Sequence, residues 1–263
     1  MAIGEPFKQV TNFLGLHEGS YHLIRRSNAR PDVRLLFRTL RSGQSSIAFP
    51  QLDWLLKESG NVLVFCPTIN FSFKVAVYLW HLDPDTVSAR QNIRLCNSLQ
   101  SATYNLGTLA LLGGNKQSQL TFTTDKLSIG LDVKNFITVV IIEPSDVDDL
   151  LQKAGRVWRD LLAPPQEPKV VVYMTSGSVK KAAETVEKAN LELANSGPAG
   201  KQGRRSKKAS ETKRPPKKQQ TQAMEGAQAE DATLDFNLAL LWMAKCKVTE
   251  LDRQWGDHQY HSR

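Results

Sequence analysis

Arg156 and Arg159 stand three residues apart in QKAGRVWRD (152–160), with Gln152 four residues before the first. A guanidinium is a planar, always-charged, multi-donor group that suits phosphate recognition. On one helix the three residues would share a stripe at i, i+4 and i+7. An isolated RxxR is more often a solvated helix face than a site. Upstream, TDKLSIGLDV (124–133) supplies Gly130, which permits close backbone approach, and Asp132, which serves equally well as a turn or cap residue. Either TD or SxGxD alone is common between strands and helices. The informative feature is the two segments in this order and at this spacing.

Such residues need a rigid frame. Six short runs are too brief and too β-branched for free-standing helices: YHLIRR (21–26), NVLVFCP (61–67), NIRLCN (92–97), QLTFTTD (119–125), ITVVIIEP (137–144) and KVVVYMT (169–175). Between them ARPDVRLLFRTLR, FPQLDWLLKES and NFSFKVAVYLWHL carry apolar residues at helical spacing, with Phe73, Val77 and Trp80 expected on one packed face. SDVDDLLQKAGRVWRD opens with a Ser cap and acids in its first turn, favourable at a helix N-terminus. Strands alternating with helices predict a parallel α/β sheet with helices on both faces. No fixed-period repeat is present.

The expected organisation is an N-terminal extension (1–19), an α/β body (20–176), a flanking helix (177–193), a linker (194–230) and a C-terminal helical segment (231–263). The linker is Gly, Ser, Ala, Gln, Lys and Pro, with too little apolar surface to offset the entropy of ordering, and is expected to be disordered. In the last segment Phe236, Leu240, Met243 and Val248 predict one terminal helix that docks on something. The chain has 34 Lys and Arg against 26 Asp and Glu, and the nine basic residues and one acid of 201–218 account for the whole net charge of +8. RRSKK followed by KRPPKK points first to nuclear import, second to nonspecific contact with DNA phosphates through Lys201, Arg204, Arg205, Lys207 and Lys208, and third to a spacer.

Cys66, Cys96 and Cys246 are too scattered for a disulfide framework or a CxxC knuckle, and buried reduced thiols are expected. The five histidines show no HExxH spacing, so no protein-bound zinc is expected. With no apolar run of 18 residues and no secretory pattern in MAIGEPFKQV, a soluble intracellular protein without membrane association is expected.

The two segments together resemble the C-terminal motor domain of superfamily 2 helicases, specifically the RecQ group, whose patterns run close to TDxLSxGxDV and QxxGRxGRD. The resemblance covers about residues 20–176, including NVLVFCPTINFSFKVAVYL, and RRSNARPDVRLLFRTL with FPQLDWLL is similar to RecQ-like helicase proteins of basidiomycete fungi. It implies a RecA-like second lobe. It also implies a catalytic group of Arg159 as arginine finger, Arg156 and Gln152, and nucleotide contacts from Gly130, Asp132, Arg156 and Arg159. Thr68 and Thr124 would contact nucleic acid. The implied activity is ATP-dependent 3'-5' DNA unwinding in the nucleus, in DNA repair and recombination. Trp158 departs from the pattern, which has Gly there; packed against nucleotide or a facing lobe, the indole would force a rearrangement, and pointing outward it would change little.

A helicase motor also needs a GxxxxGK[ST] phosphate loop and an acidic Mg²⁺-binding motif. GGNKQS (113–118) lacks GK[ST], and GKQGRR (200–205) lies in linker composition. ATP and Mg²⁺ are therefore expected only with a first lobe on a separate chain or domain, and the chain alone is not expected to hydrolyse ATP. The alternative is a noncatalytic nucleic-acid-binding protein that uses the lobe as a scaffold.

Overall fold

Runs of Val, Ile and Phe at the centre of the chain assemble as fully buried strands. The computed structural model describes residues 10–17, 19–20, 30, 32–113, 119–124, 135–159, 164, 166–195 and 234–255. Its six strands are β1 (Arg34–Leu40), β2 (Asn61–Phe65), β3 (Ile93–Cys96), β4 (Leu120–Thr123), β5 (Phe136–Ile142) and β6 (Lys169–Thr175). They form one sheet in the order β1-β6-β5-β2-β4-β3, every neighbouring pair parallel. All residues of β2 and β5 are buried, as a parallel sheet covered on both faces requires.

Side-chain alternation divides the core into two layers. Val62, Val64, Val140, Ile142, Val171 and Tyr173 face one layer. It is covered by a 3-10 helix (Pro50–Lys57) and by α1 (Ile69–Leu82) and α2 (Thr86–Asn92). Leu63, Phe65, Val139, Ile141, Val170 and Val172 face the other. It is covered by α3 (Ala102–Gly113), α4 (Val147–Ala154), α5 (Ser176–Asn195), α6 (Phe236–Met243) and α7 (Lys247–Trp255). The expected class, an α/β parallel sheet with helices on both faces, is what the chain forms.

One buried polar link crosses the first layer. Tyr173 Oη accepts from Trp54 Nε1 at 2.9 Å and donates to the Gln51 carbonyl at 2.9 Å, tying the 3-10 helix to β6. Removing the hydroxyl strands both partners, so Tyr173→Phe is expected to cost about 1–3 kcal/mol in urea unfolding. An unchanged midpoint would show that water replaces it freely.

Several expectations are corrected. RLLFRTL (34–40), expected as helix, is strand β1 along the full length of β6. Its cluster of leucines and Phe37 fits either period, and pairing with the exposed edge of β6 decides. The fully buried face of α1 is Phe71, Val75, Ala76 and Leu79; of the expected face, Phe73 is exposed, Val77 is half-buried, and Trp80 packs in part against the core with Phe73 edge-on to it.

The terminal segment is two helices, and it docks on this sheet through Leu238, Ala239, Leu241 and Leu251, leaving Phe236, Met243 and Val248 exposed. Trp242 meets Phe37 edge-to-face at 5.3 Å, and Lys247 Nζ donates to the carbonyls of Trp242 and Ala244 across the break. Cys66 and Cys96 are buried, Cys246 is exposed. The expected strand at 21–26 and nearly all of the linker lie outside the described residues. Among the described residues no helix is long and apolar enough to cross a membrane.

Candidate functional site

The arginine segment begins on a well-capped helix. Asp146 caps α4 by accepting from Asp149 N at 2.8 Å, and the Asp149 carboxylate accepts from Ser145 N at 3.1 Å. The cap is thus Asp146 where Ser145 was expected. Lys153 folds onto Asp149 at 2.8 Å while nearly buried against Phe65.

The helix ends at Ala154, so Gln152, Arg156 and Arg159 do not form one helical stripe as expected. Gln152 is exposed on the helix, Arg156 lies in the following turn and Arg159 beyond it. Arg156 N and Val157 N bond three residues back instead of four, which ends the α-helical ladder, and Trp158, with a left-handed φ of 28°, then turns the chain before Arg159.

The turn is pinned on several sides. Gly155 N and Val157 N donate back to the carbonyls of Leu151 and Ala154, and Trp158 N donates to the carbonyl of Phe136 at 2.8 Å. Phe136 is the first residue of β5, so the turn sits at the amino-terminal edge of the sheet. Arg156 is 7% exposed. Burial, and then the charge of Arg159, hold its pKa below the ordinary value. Arg159 is exposed and its Nε donates to the Gly155 carbonyl at 2.6 Å. Two arginines held this close make a local positive field that an anion would relieve.

Arg30, which no sequence signal singled out, completes the turn. Its Nη1 donates to the Val157 carbonyl at 3.0 Å and its Nη2 to the Trp158 carbonyl at 3.2 Å, while Asp32 accepts from its Nε at 3.1 Å and pairs with Nη2. A cavity of about 400 Å³, mostly apolar, adjoins the turn and is lined by Val33, Leu35, Leu151, Gln152, Val157 and the edge of Arg30.

The other expected residues lie elsewhere. Thr68 follows β2 and caps α1, its Oγ1 accepting from Phe71 N at 3.1 Å. Thr124 follows β4, which pairs with β2 so that Phe65 opposes Thr123. Thr68 and Thr124 therefore share the carboxyl-terminal edge, opposite the arginine turn and roughly 20 Å from it across a seven-residue strand. Gly130, Asp132, Lys201, Arg204, Arg205, Lys207 and Lys208 lie outside the described residues.

Trp158 carries a conformation that glycine adopts without cost. Trp158→Gly is expected to recover roughly 1–2 kcal/mol of backbone strain and lose a similar amount of burial from the half-buried indole. Unfolding stability should therefore stay within about 1 kcal/mol of wild type by these two opposing terms. A far larger loss would identify the indole as a plug.

Asp148 sits between two helix caps. Burial, then Asp146 and Asp235, raise its carboxyl pKa above the ordinary 3.8. A proton held more tightly in the folded state makes stability fall as pH rises from 3.8 through the raised value. Asp148→Asn should thus raise the melting temperature at neutral pH, and the gain should vanish as pH falls toward 3.8. A gain that persists at low pH would contradict this.

No family model matches the chain, and no curated protein matches it. Solved structures do. The helicase Lhr of Mycobacterium smegmatis, bound to single-stranded DNA and AMP-PNP, is similar at 14% identity and a TM-score of 0.43, over 62% of this chain and 22% of that one. Cas3 of T. fusca is similar at 17% and 0.45, over 66% and 23%. Domain 2 of the DEAD-box helicase Mss116p, bound to an RNA duplex, is similar at 14% and 0.43, over 60% and 59%. The chain thus spans less than a quarter of the first two, and what it shares with all three is a similarity of fold.

Proposed function

We propose that this chain is the second, RecA-like motor lobe of a RecQ-type ATP-dependent 3'-5' DNA helicase, working with a first lobe carried elsewhere. The observation that carries the reading is the arginine turn bonded to the first residue of β5, directly after the TDKLSIGLDV segment. In the sequence Asp132 stands four residues before Phe136, and Phe136 holds the turn through its carbonyl, which accepts from Trp158 N.

This supports a division of labour. On the amino edge Arg156 and Arg159 offer charge to a nucleotide's phosphates, Arg159 as the finger that meets the γ-phosphate as charge develops. On the carboxyl edge Thr68 and Thr124 offer hydroxyls to a nucleic-acid backbone. Among the described residues no group of His, Cys, Asp or Glu could hold a metal ion. In this reading Mg²⁺ would come with the nucleotide and the first lobe, and it would supply neutralisation of phosphate charge. The segment of Lys201, Arg204, Arg205, Lys207 and Lys208 would add salt-dependent DNA contact and nuclear import.

The second reading, a noncatalytic nucleic-acid-binding protein, is favoured by one observation: the sequence holds no GxxxxGK[ST]. DNA-stimulated ATP hydrolysis by the purified chain, with and without an added first-lobe domain, separates the two. Hydrolysis only with the added lobe supports the motor. Hydrolysis by the chain alone refutes its incompleteness, and none in either case favours the binding protein.

A further inference from the structure

We propose that Arg30 is a positioning residue that clamps the arginine turn and sets where Arg159 can reach. The proposal rests on the turn's nucleotide-facing role given above, but the clamp itself stands on geometry. The two carbonyls that Arg30 takes, Val157 and Trp158, are those of the two residues between Arg156 and Arg159. They flank the left-handed residue of the turn, where the chain changes direction. Any tilt of those peptide planes swings Arg159 directly.

The clamp is itself held. Asp32 takes Nε and Nη2 of the same guanidinium, so its plane is fixed from one side while its other donors meet the turn. The adjoining cavity means that side chains do not fill all the space beside the turn. In place of close packing, Arg30 ties Val157 and Trp158 to the entry of β1, 127 and 128 residues away in sequence. A lysine, with a point charge and no planar fork, cannot hold two carbonyls and a carboxylate in one plane. Arg30 touches no phosphate in this scheme and acts through Arg159.

The clamp can be read without any enzymatic assay. In the full chain labelled with ¹⁵N-arginine and ¹⁵N-tryptophan, the Nε–H of Arg159, bonded to the Gly155 carbonyl, should give a slowly exchanging signal, identified by its loss in Arg159→Lys. Arg30→Met should speed its exchange at least tenfold and leave the Trp242 indole signal in place. Arg30→Lys should fail to restore it, and Asp32→Asn should give a smaller acceleration. With a first lobe added, Arg30→Met should lower kcat at least tenfold and leave the KM for ATP within twofold.

An Arg159 signal unchanged in folded Arg30→Met overturns the clamp. Should Arg30→Met fail to fold, Asp32→Asn decides, and an unchanged Arg159 signal there overturns it equally. Absence of ATP hydrolysis by the wild-type pair would refute the motor reading and leave the exchange result to judge the clamp. A normal kcat in Arg30→Met beside an active wild-type pair would refute the positioning role.

Discussion

Arg159→Ala, assayed in the chain together with a first motor lobe, is expected to lower DNA-stimulated kcat by about 10³-fold or more, the range for loss of an arginine finger. Arg159 is exposed, and its Nε donates to the Gly155 carbonyl within its own turn. Truncation should therefore leave the melting temperature nearly unchanged, separating chemistry from stability. Because the finger acts on charge that develops in the transition state, KM for ATP should move little. Arg156→Ala should behave differently: at 7% exposure its side chain is part of the packed turn, and its loss should reduce stability as well as rate. A kcat unchanged in Arg159→Ala would remove the finger from the mechanism.

The second large effect concerns the C-terminal helices. Leu241→Ala is expected to destabilise the domain by about 2–5 kcal/mol, because Leu241 is fully buried in the core layer that the C-terminal helices share with the sheet. Leu238→Ala should cost a similar amount, and the pair should be less than additive because they occupy neighbouring positions on one helix face. Chemical denaturation of the full chain measures both. Values below 0.5 kcal/mol would mean that α6 and α7 are an appendage and not part of the core. Their position also bears on the arginine turn: α6 packs against α4, and Asp235, the cap of α6, lies near enough to Asp148 to influence its titration.

The sheet was legible where β-branched residues run unbroken, as in FITVVII and KVVVYMT, since such runs are too short for helices and too apolar for loops. β1 was not, because RLLFRTL satisfies both periods and only the unpaired edge of β6 chooses between them. The helical content of the C-terminal segment was legible, but its packed face was not. FNLALLWM is apolar almost all round, so periodicity cannot choose a side.

At the candidate site, residue types and spacing pointed to Arg156 and Arg159, while the helix end between Ala154 and Arg156 was hidden. A lone Gly155 does not mark a helix end, and nothing in a tryptophan announces a positive φ. Arg30 was illegible for a different reason. Its partners are carbonyls 127 and 128 residues away, and backbone acceptors leave no trace in side-chain patterns.

The most direct test of the proposed role mixes the purified chain with a first-lobe domain and duplex DNA and follows ATP hydrolysis. The motor-lobe role predicts hydrolysis by the mixture, none by the chain alone, and loss of at least 10³-fold when Arg159→Ala replaces the wild type. Hydrolysis that ignores Arg159, or a mixture no faster than the first lobe by itself, would contradict it.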